Sequence, residues 1–388
     1  MENQLRINTT SKIFLGLALA GLCGIVLSFF QDKSVLAHSY LTALVFVLSI
    51  PLGALFFVLI QHLTRAGWSV TVRRLAEQVM LPLRWIWILF LPLAFFALHT
   101  LYHWTHQDAV AHDKILQAKQ AYLNIPFFSI RALVFFAGWA LFANYFFRQS
   151  VAQDTDGLKS RTLSMQKVAT IGAIFYALSE TFFAFDWMMS LTPHWFSTIY
   201  GLYFFAAQTV SVLSVLILLV LLLHSQGHLK KEITIEHLHD LGKLLFGFNV
   251  FWTYIAYSQW MLIWYANLGE ETPFYLARMV GNWKTVSITL VIVHFVIPFF
   301  LLLSRNGKRN PFILGLSALI ILLSSYFDMY WLIMPNVYKE NAVFGLSDIS
   351  SFLFAFGLLG FFILRSIPKA ALYPLKDPRL TESLHHSN

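Results

Sequence analysis

The sequence predicts an all-α polytopic membrane protein with about ten transmembrane helices, arranged as two tandem four-helix bundles plus flanking helices. Three observations carry this expectation. Of the 388 residues, 58% are hydrophobic and 12% charged, with 38 phenylalanines, more apolar side chain than one soluble core encloses. Apolar runs of about 20 residues, the length that crosses a bilayer as a self-bonded helix, recur along the chain. Lys and Arg are divided unequally between alternate connecting segments, as in multi-pass proteins.

The first run, 13–30, follows a short polar leader. Its Ala-Leu-Ala-Gly sequence at 18–21 falls in mid-stretch, so it reads as a retained span rather than a cleaved signal peptide. The second, 40–61, has no formal charge up to residue 60, and Pro51 inside it can kink a membrane helix without ending it. The third is 83–103 and the fourth, 127–147, carries Arg131; the fifth, 169–189, carries Glu180 and Asp186. The sixth, 199–223, is uncharged. The seventh, 245–267, sets Asn249, Thr253, Tyr257 and Gln259 among Trp252, Trp260 and Trp264, and the eighth, 285–303, holds Ser287 and His294 seven apart. The ninth, 312–333, contains Ser324 and Asp328, and the tenth is 348–366.

Residues 183–189 and 326–331 echo one another at an offset of 142 residues, matching Asp186 to Asp328. Spans five and nine run in the same direction, as parallel repeats require. The expected division is 1–39 for the N-terminal segment and first helix, 40–195 and 196–335 for the two bundles, and 336–388 for the last helix and tail.

Of the 27 Lys and Arg residues, 20 fall on the side of both termini; the other seven are Lys33, Lys114, Lys119, Arg131, Arg278, Lys284 and Lys339. The positive-inside rule puts both termini in the cytoplasm. The net charge of +8 is spread over several segments, which suits anionic membrane lipids and gives no nucleic-acid patch. Cys23 is the single cysteine, so there is no disulfide framework, CxxC pair or CxxCH haem attachment. Trp and Tyr at span ends, among them Tyr102, Trp104, Trp187, Trp195, Trp283, Tyr330 and Trp331, read as headgroup anchors. Glu270 and Glu271 near Arg278 read either as a docking surface or as a solvated loop.

Carboxylates inside spans are costly to bury charged, which makes Glu180, Asp186 and Asp328 the candidates for function. Polar neighbours follow at helical spacing: Tyr176 four before Glu180, Ser179 seven before Asp186, Ser324 four before Asp328. With Asn249, Thr253 and His294 these groups could pass a proton, or could equally be interhelical hydrogen bonds. His99 and His294 are not linked by spacing into a haem ligand pair.

A family resemblance rests on several segments read together. They are Gln61-His62-Leu63-Thr64-Arg65-Ala66-Gly67-Trp68-Ser69 with Arg73-Arg74; Tyr122-Leu123-Asn124 with Pro126-Phe127-Phe128 and Arg131; and residues 186–198, including Pro193-His194-Trp195-Phe196-Ser197-Thr198. They continue with Phe251-Trp252-Thr253-Tyr254-Ile255-Ala256-Tyr257-Ser258-Gln259, then Leu262 to Asn267, Glu270 to Thr272, His294 with Pro298, and Asp328 to Pro335. The sequence resembles the NrfD-like membrane subunits, most closely the ActF type of alternative complex III, a bacterial quinol:cytochrome c oxidoreductase.

The resemblance implies two four-helix bundles with flanking helices and a place in the bacterial inner membrane. It implies a core membrane subunit without a redox centre, structural and proton-conducting, with no catalytic, cofactor-binding or metal-binding residue of its own. Quinol would be the substrate of the complex. Haem c and iron–sulfur clusters would sit in partners: a paralogous NrfD-like quinol-binding subunit, an external iron–sulfur subunit, multihaem and monohaem cytochromes c, and optionally a terminal oxidase. Were this chain the quinol-binding paralogue, Arg131, Asp186 and His194 would be the quinol contacts. A pure scaffold and an independent secondary transporter are the other readings.

Overall fold

A computed structural model of the chain describes the backbone of residues 2–387 and the side chains of 9–387 apart from Lys369. Arg6 and Lys369, both counted in the charge asymmetry, lie outside the described side chains. The described chain is helical, without strands, and has ten long elements: α1 Glu2–Phe29, α2 Lys33–Leu63, α3 Val70–Leu101, α4 Ile125–Asp156, α5 Lys159–Trp187, α6 Tyr200–Ser225, α7 Ile235–Ala266, α8 Trp283–Leu303, α9 Pro311–Ile333 and α10 Leu346–Ser366. Among the described residues, all of these except α7 are both long and apolar enough to cross a membrane. α7 is more polar, but its 32 residues reach about 48 Å, ample for a crossing. The chain is an all-α, multi-pass membrane protein.

Local chemistry explains the element ends. Asp32 caps α2 by accepting from the Ser34 and Val35 amides, and Asn124 caps α4 by accepting from Phe127 N at 2.9 Å. Asn310 does the same for α9, and Pro126 and Pro311 occupy first-turn positions where no N–H is required. α3 is not one regular helix. Pro82 and Pro92 remove ladder donors, and the element passes through a 3₁₀ turn at Leu81–Arg84 and a π segment at Leu93–Ala97. Pro51 leaves α2 continuous from Lys33 to Leu63.

α2 and α6 form the centre: 89% and 78% of their apolar windows are buried within the protein, against 17% for α1. They approach so closely that a Cβ on Gly53 would stand 2.5 Å from the Gln208 carbonyl oxygen. α2 contacts α3, α4 and α5, and α4 contacts α3 and α5; α6 contacts α7 and α9, and α8 contacts α7 and α9. The two sets join where α2 meets α6 and α9 and where α5 meets α6. α10 lies on α2, and α1 lies antiparallel on α10.

The start of α1 and the segment after α10 lie at one end of the helices, the basic face, with the turns that precede α3, α5, α7 and α9. Arg74 is fully buried there: it bonds Glu77 at 3.1 Å, Asp154 at 2.8 Å and the carbonyls of Ser150 and Ala371. Arg73 meets Asp377 at 2.5 Å, and the Ser383 hydroxyl donates to Trp68 O at 2.7 Å. The segment after α10 is thus stitched across the face. At the opposite face, Trp195 donates to Glu271 O at 3.1 Å and Thr192 to Asn336 at 2.8 Å.

The expected headgroup anchors require a correction. Tyr102, Trp104, Trp187, Trp195, Trp283 and Tyr330 are buried inside the protein. Four of them use their polar atoms internally, as where Tyr102 donates to Trp187 O and Trp283 donates to Tyr338 O at 2.7 Å, whereas the indole nitrogens of Trp104 and Trp187 are buried without a partner. They close the loop end of the helices instead of facing lipid headgroups.

Candidate functional site

Each buried carboxylate has a different set of partners. Glu180 lies about two turns before the end of α5 and is almost fully buried. It accepts from Thr181 Oγ1 at 3.1 Å and from Gln208 Nε2 of α6 at 3.2 Å, both neutral donors. Tyr176 donates to Gln208 Oε1 at 2.5 Å, so it reaches Glu180 through Gln208 rather than directly. A cavity of about 340 Å³ opens beside this group, lined by Phe56, Ile60, Tyr176, Glu180, Thr181 and Thr198 among others. A second cavity of about 230 Å³ begins at the basic face near Thr64 and Trp68 and passes Gln61, whose buried Oε1 has no hydrogen-bond partner within the protein. Both cavities are lined by Phe56 and Ile60. The Phe56 ring stacks on Tyr176 at 5.7 Å and stands edge-on to Phe205 at 4.8 Å.

Asp186 is an ion-pair partner. Arg131 of α4 donates bidentately, Nε to Oδ2 at 2.7 Å and Nη2 to Oδ1 at 2.9 Å, and also donates to Tyr122 O at 3.0 Å. The guanidinium stands 3.8 Å from the Tyr122 ring centre and 4.3 Å from that of Phe127. His194 is not part of this group: it pairs with Asp113 in the segment between α3 and α4. The His194 hydrogen bond holds the Asp113 carboxyl below its ordinary range. Of the three expected quinol contacts, the fold therefore unites two and separates the third.

Asp328 is enclosed. Tyr203 of α6 donates to Oδ1 at 2.5 Å and Trp252 of α7 to Oδ2 at 3.1 Å. Behind Trp252 lies the His294 ring, 4.0 Å away, in a π segment of α8 spanning Val291–Val296. His294 Nδ1 bonds Ser324 at 2.8 Å, while its Nε2 is buried without a partner. Asn249 donates to His294 O at 3.1 Å, and Thr253 turns back onto Asn249 O at 3.0 Å. Ser324, expected beside Asp328, serves His294 instead. Ser179, expected on the Asp186 face, accepts from Trp139 Nε1 at 2.8 Å. Seven residues place it about 10 Å from Asp186 along the axis, too far for a bond.

Sequence reasoning missed Gln208 and Tyr203, which supply the donors from α6 to two of the acids. Their signal was a polar amide and a phenol inside an otherwise apolar run. Arg278, read as sitting beside Glu270 and Glu271, is instead buried and donates to the Phe274, Trp331 and Leu332 carbonyls at 2.6, 3.0 and 2.8 Å. His99 bonds Thr105 through its ring and His106 through its carbonyl, both in its own segment, whereas His294 bonds Ser324. No cluster of three or more His, Cys, Asp or Glu side chains suited to a metal ion occurs among the described residues. Compared with known proteins, the chain matches no family model and no curated protein.

Proposed function

We propose that this chain is a proton-handling membrane subunit, with Glu180 as the group that takes up and releases the proton. The observation that carries this reading is a pair of cavities, one at the basic face and one at Glu180, that share Phe56 and Ile60 in their walls. A carboxyl in the membrane interior without a counter-charge is retained at a cost, and such groups mark proton relays. Movement of the shared Phe56 and Ile60 side chains would join Gln61 and Thr64 at the entrance to Gln208 and Tyr176 at the acid. By the positive-inside rule the entrance faces the cytoplasm, with both termini on that side.

Within that class, the resemblance favours an ActF-like subunit of a bacterial inner-membrane quinol:cytochrome c oxidoreductase, built as two tandem four-helix bundles. Quinol oxidation and the haem and iron–sulfur chemistry then belong to partners. Asp186, already saturated by Arg131, acts as a strut between α4 and α5. Asp328 is a second acid with neutral partners, the relay candidate of the other bundle. The internal pairing of Arg131 with Asp186, and of His194 with Asp113, speaks against a quinol head at those three residues.

The test is Glu180→Gln in the assembled complex, after mass spectrometry of what copurifies with the chain in mild detergent. Recovery of c-type cytochromes, an iron–sulfur protein and a paralogous subunit is expected. The variant should assemble normally and lose about tenfold or more of coupled proton movement, the scale for removing one positioned proton carrier. Unchanged coupling in an intact complex would reduce the chain to a scaffold, and recovery of the chain alone would overturn the respiratory assignment.

A further inference from the structure

Arg278 and Arg131 share one environment and differ in one respect. Each donates to backbone carbonyls and packs between two aromatic rings: Tyr122 and Phe127 around Arg131, Phe274 at 3.5 Å and Trp331 at 4.8 Å around Arg278. Arg131 also has Asp186. Arg278, only 4% exposed, forms no ion pair with an acid among the described residues. Three of its five N–H groups meet carbonyls, leaving two donors and a full positive charge. Burial lowers its pKa to about 10, so it remains cationic at neutral pH. A buried cation without a counter-ion is costly unless one comes from outside the chain.

A place for that counter-ion adjoins it. Arg278 lines a cavity of about 380 Å³ between α7 and α8, walled by Trp252, Trp260, Ile288 and Val291 and almost wholly apolar. From Trp260 to Trp252 the wall descends eight residues of α7, about 12 Å into the span. Ile288 and Val291 are about half exposed, so the cavity opens sideways as a cleft toward lipid. The π segment of α8 begins at Val291 and widens the turn there. Arg278 precedes α8 by five residues, at the end of the spans where lipid phosphates lie.

We propose that this cleft holds a glycerophospholipid, its phosphate against Arg278 and one acyl chain descending between α7 and α8. The phosphate supplies what Asp186 supplies to Arg131, and the apolar wall takes the chain. A quinone head carries no charge to offer, and free phosphate would leave the apolar wall unused.

The experiment is native mass spectrometry of the full chain, delipidated in mild detergent and then titrated with phosphatidylglycerol, ubiquinone or inorganic phosphate. One phosphatidylglycerol per chain should be retained, and millimolar inorganic phosphate should not displace it. Arg278→Gln should weaken retention about tenfold or more, the worth of a charge-assisted contact. Ile288→Trp, which fills the cleft from its half-exposed rim, should abolish retention while thermal unfolding stays that of the parent. Equal phosphatidylglycerol retention by parent and both folded variants would overturn the proposal. So would displacement by ubiquinone or by inorganic phosphate alone.

Discussion

Arg131 and Asp186 show how a buried charge becomes structural. Both are desolvated, and the bidentate geometry, the Tyr122 carbonyl and two aromatic rings offset that cost. Arg131→Leu should destabilise the chain by about 3–5 kcal/mol, because Asp186 is left buried and unpaired. The double change Arg131→Leu with Asp186→Leu should recover most of that, as read by unfolding in mild detergent. Asp113 behaves differently because it is accessible. Its folded-state pKa lies below the usual 3.8, chiefly through the His194 hydrogen bond. Its contribution is therefore complete above that ordinary value and is lost as pH falls through the depressed one. Amide protection in residues 107–119, measured relative to the intrinsic exchange rate at each pH, should hold steady down to about pH 4 and fall below it, and Asp113→Asn should remove that acid-side change. At this scale the sequence identified the costly residues but not their partners. Spacing along one helix put Ser179 with Asp186 and Ser324 with Asp328, whereas Trp139 and His294, on neighbouring helices, took those hydroxyls.

Helices were legible because each repeats one simple demand, a long run of apolar side chains with internally bonded backbone. Breaks within helices were harder to foresee. Pro51 and Pro92 are the same residue type in similar runs, yet α2 stays regular while α3 shifts into a π segment after Pro92. The difference lies in surroundings: α2 is enclosed by helices on all sides, and α3 is partly exposed. The contact of α1 with α10 illustrates an element held by shape. A Cβ on Gly21 would come within 2.3 Å of the Phe354 backbone nitrogen, so the backbones touch where the side chain is absent. Gly21→Leu should force α1 away from α10, costing about 1–3 kcal/mol. The readout is proteolytic release of the first helix from otherwise intact protein, and unchanged resistance would remove close approach as the reason for glycine there.

Across the whole molecule, α2 and α6 form the axis, and two sets of helices meet along it. Tyr176, Gln208 and Glu180 span that junction, which no reading of α5 alone could reveal. The basic face was legible in sequence only as a surplus of Lys and Arg. In the fold part of that surplus is internal: Arg73 and Arg74 are buried and bind Asp377, Glu77 and Asp154. Asp377→Asn should therefore loosen the segment after α10. Limited proteolysis between residues 370 and 387 should accelerate about tenfold, the equivalent of one lost charge-assisted bond. An unchanged cleavage rate would mean that the Ser383 contacts suffice alone.

The stitching of that segment also carries a timing rule. The ribosome delivers Arg73 and Arg74 early and Asp377 only after the tenth helix has been made. Through most of translation Arg73 has only Glu77, at 3.5 Å, as an acidic neighbour. Asp377 and Ser383 return to a helix made some 300 positions earlier. Closure of the basic face thus waits for the segment after α10, and until it arrives Arg73 relies on Glu77 alone, whereas Arg74 already has Glu77 and Asp154.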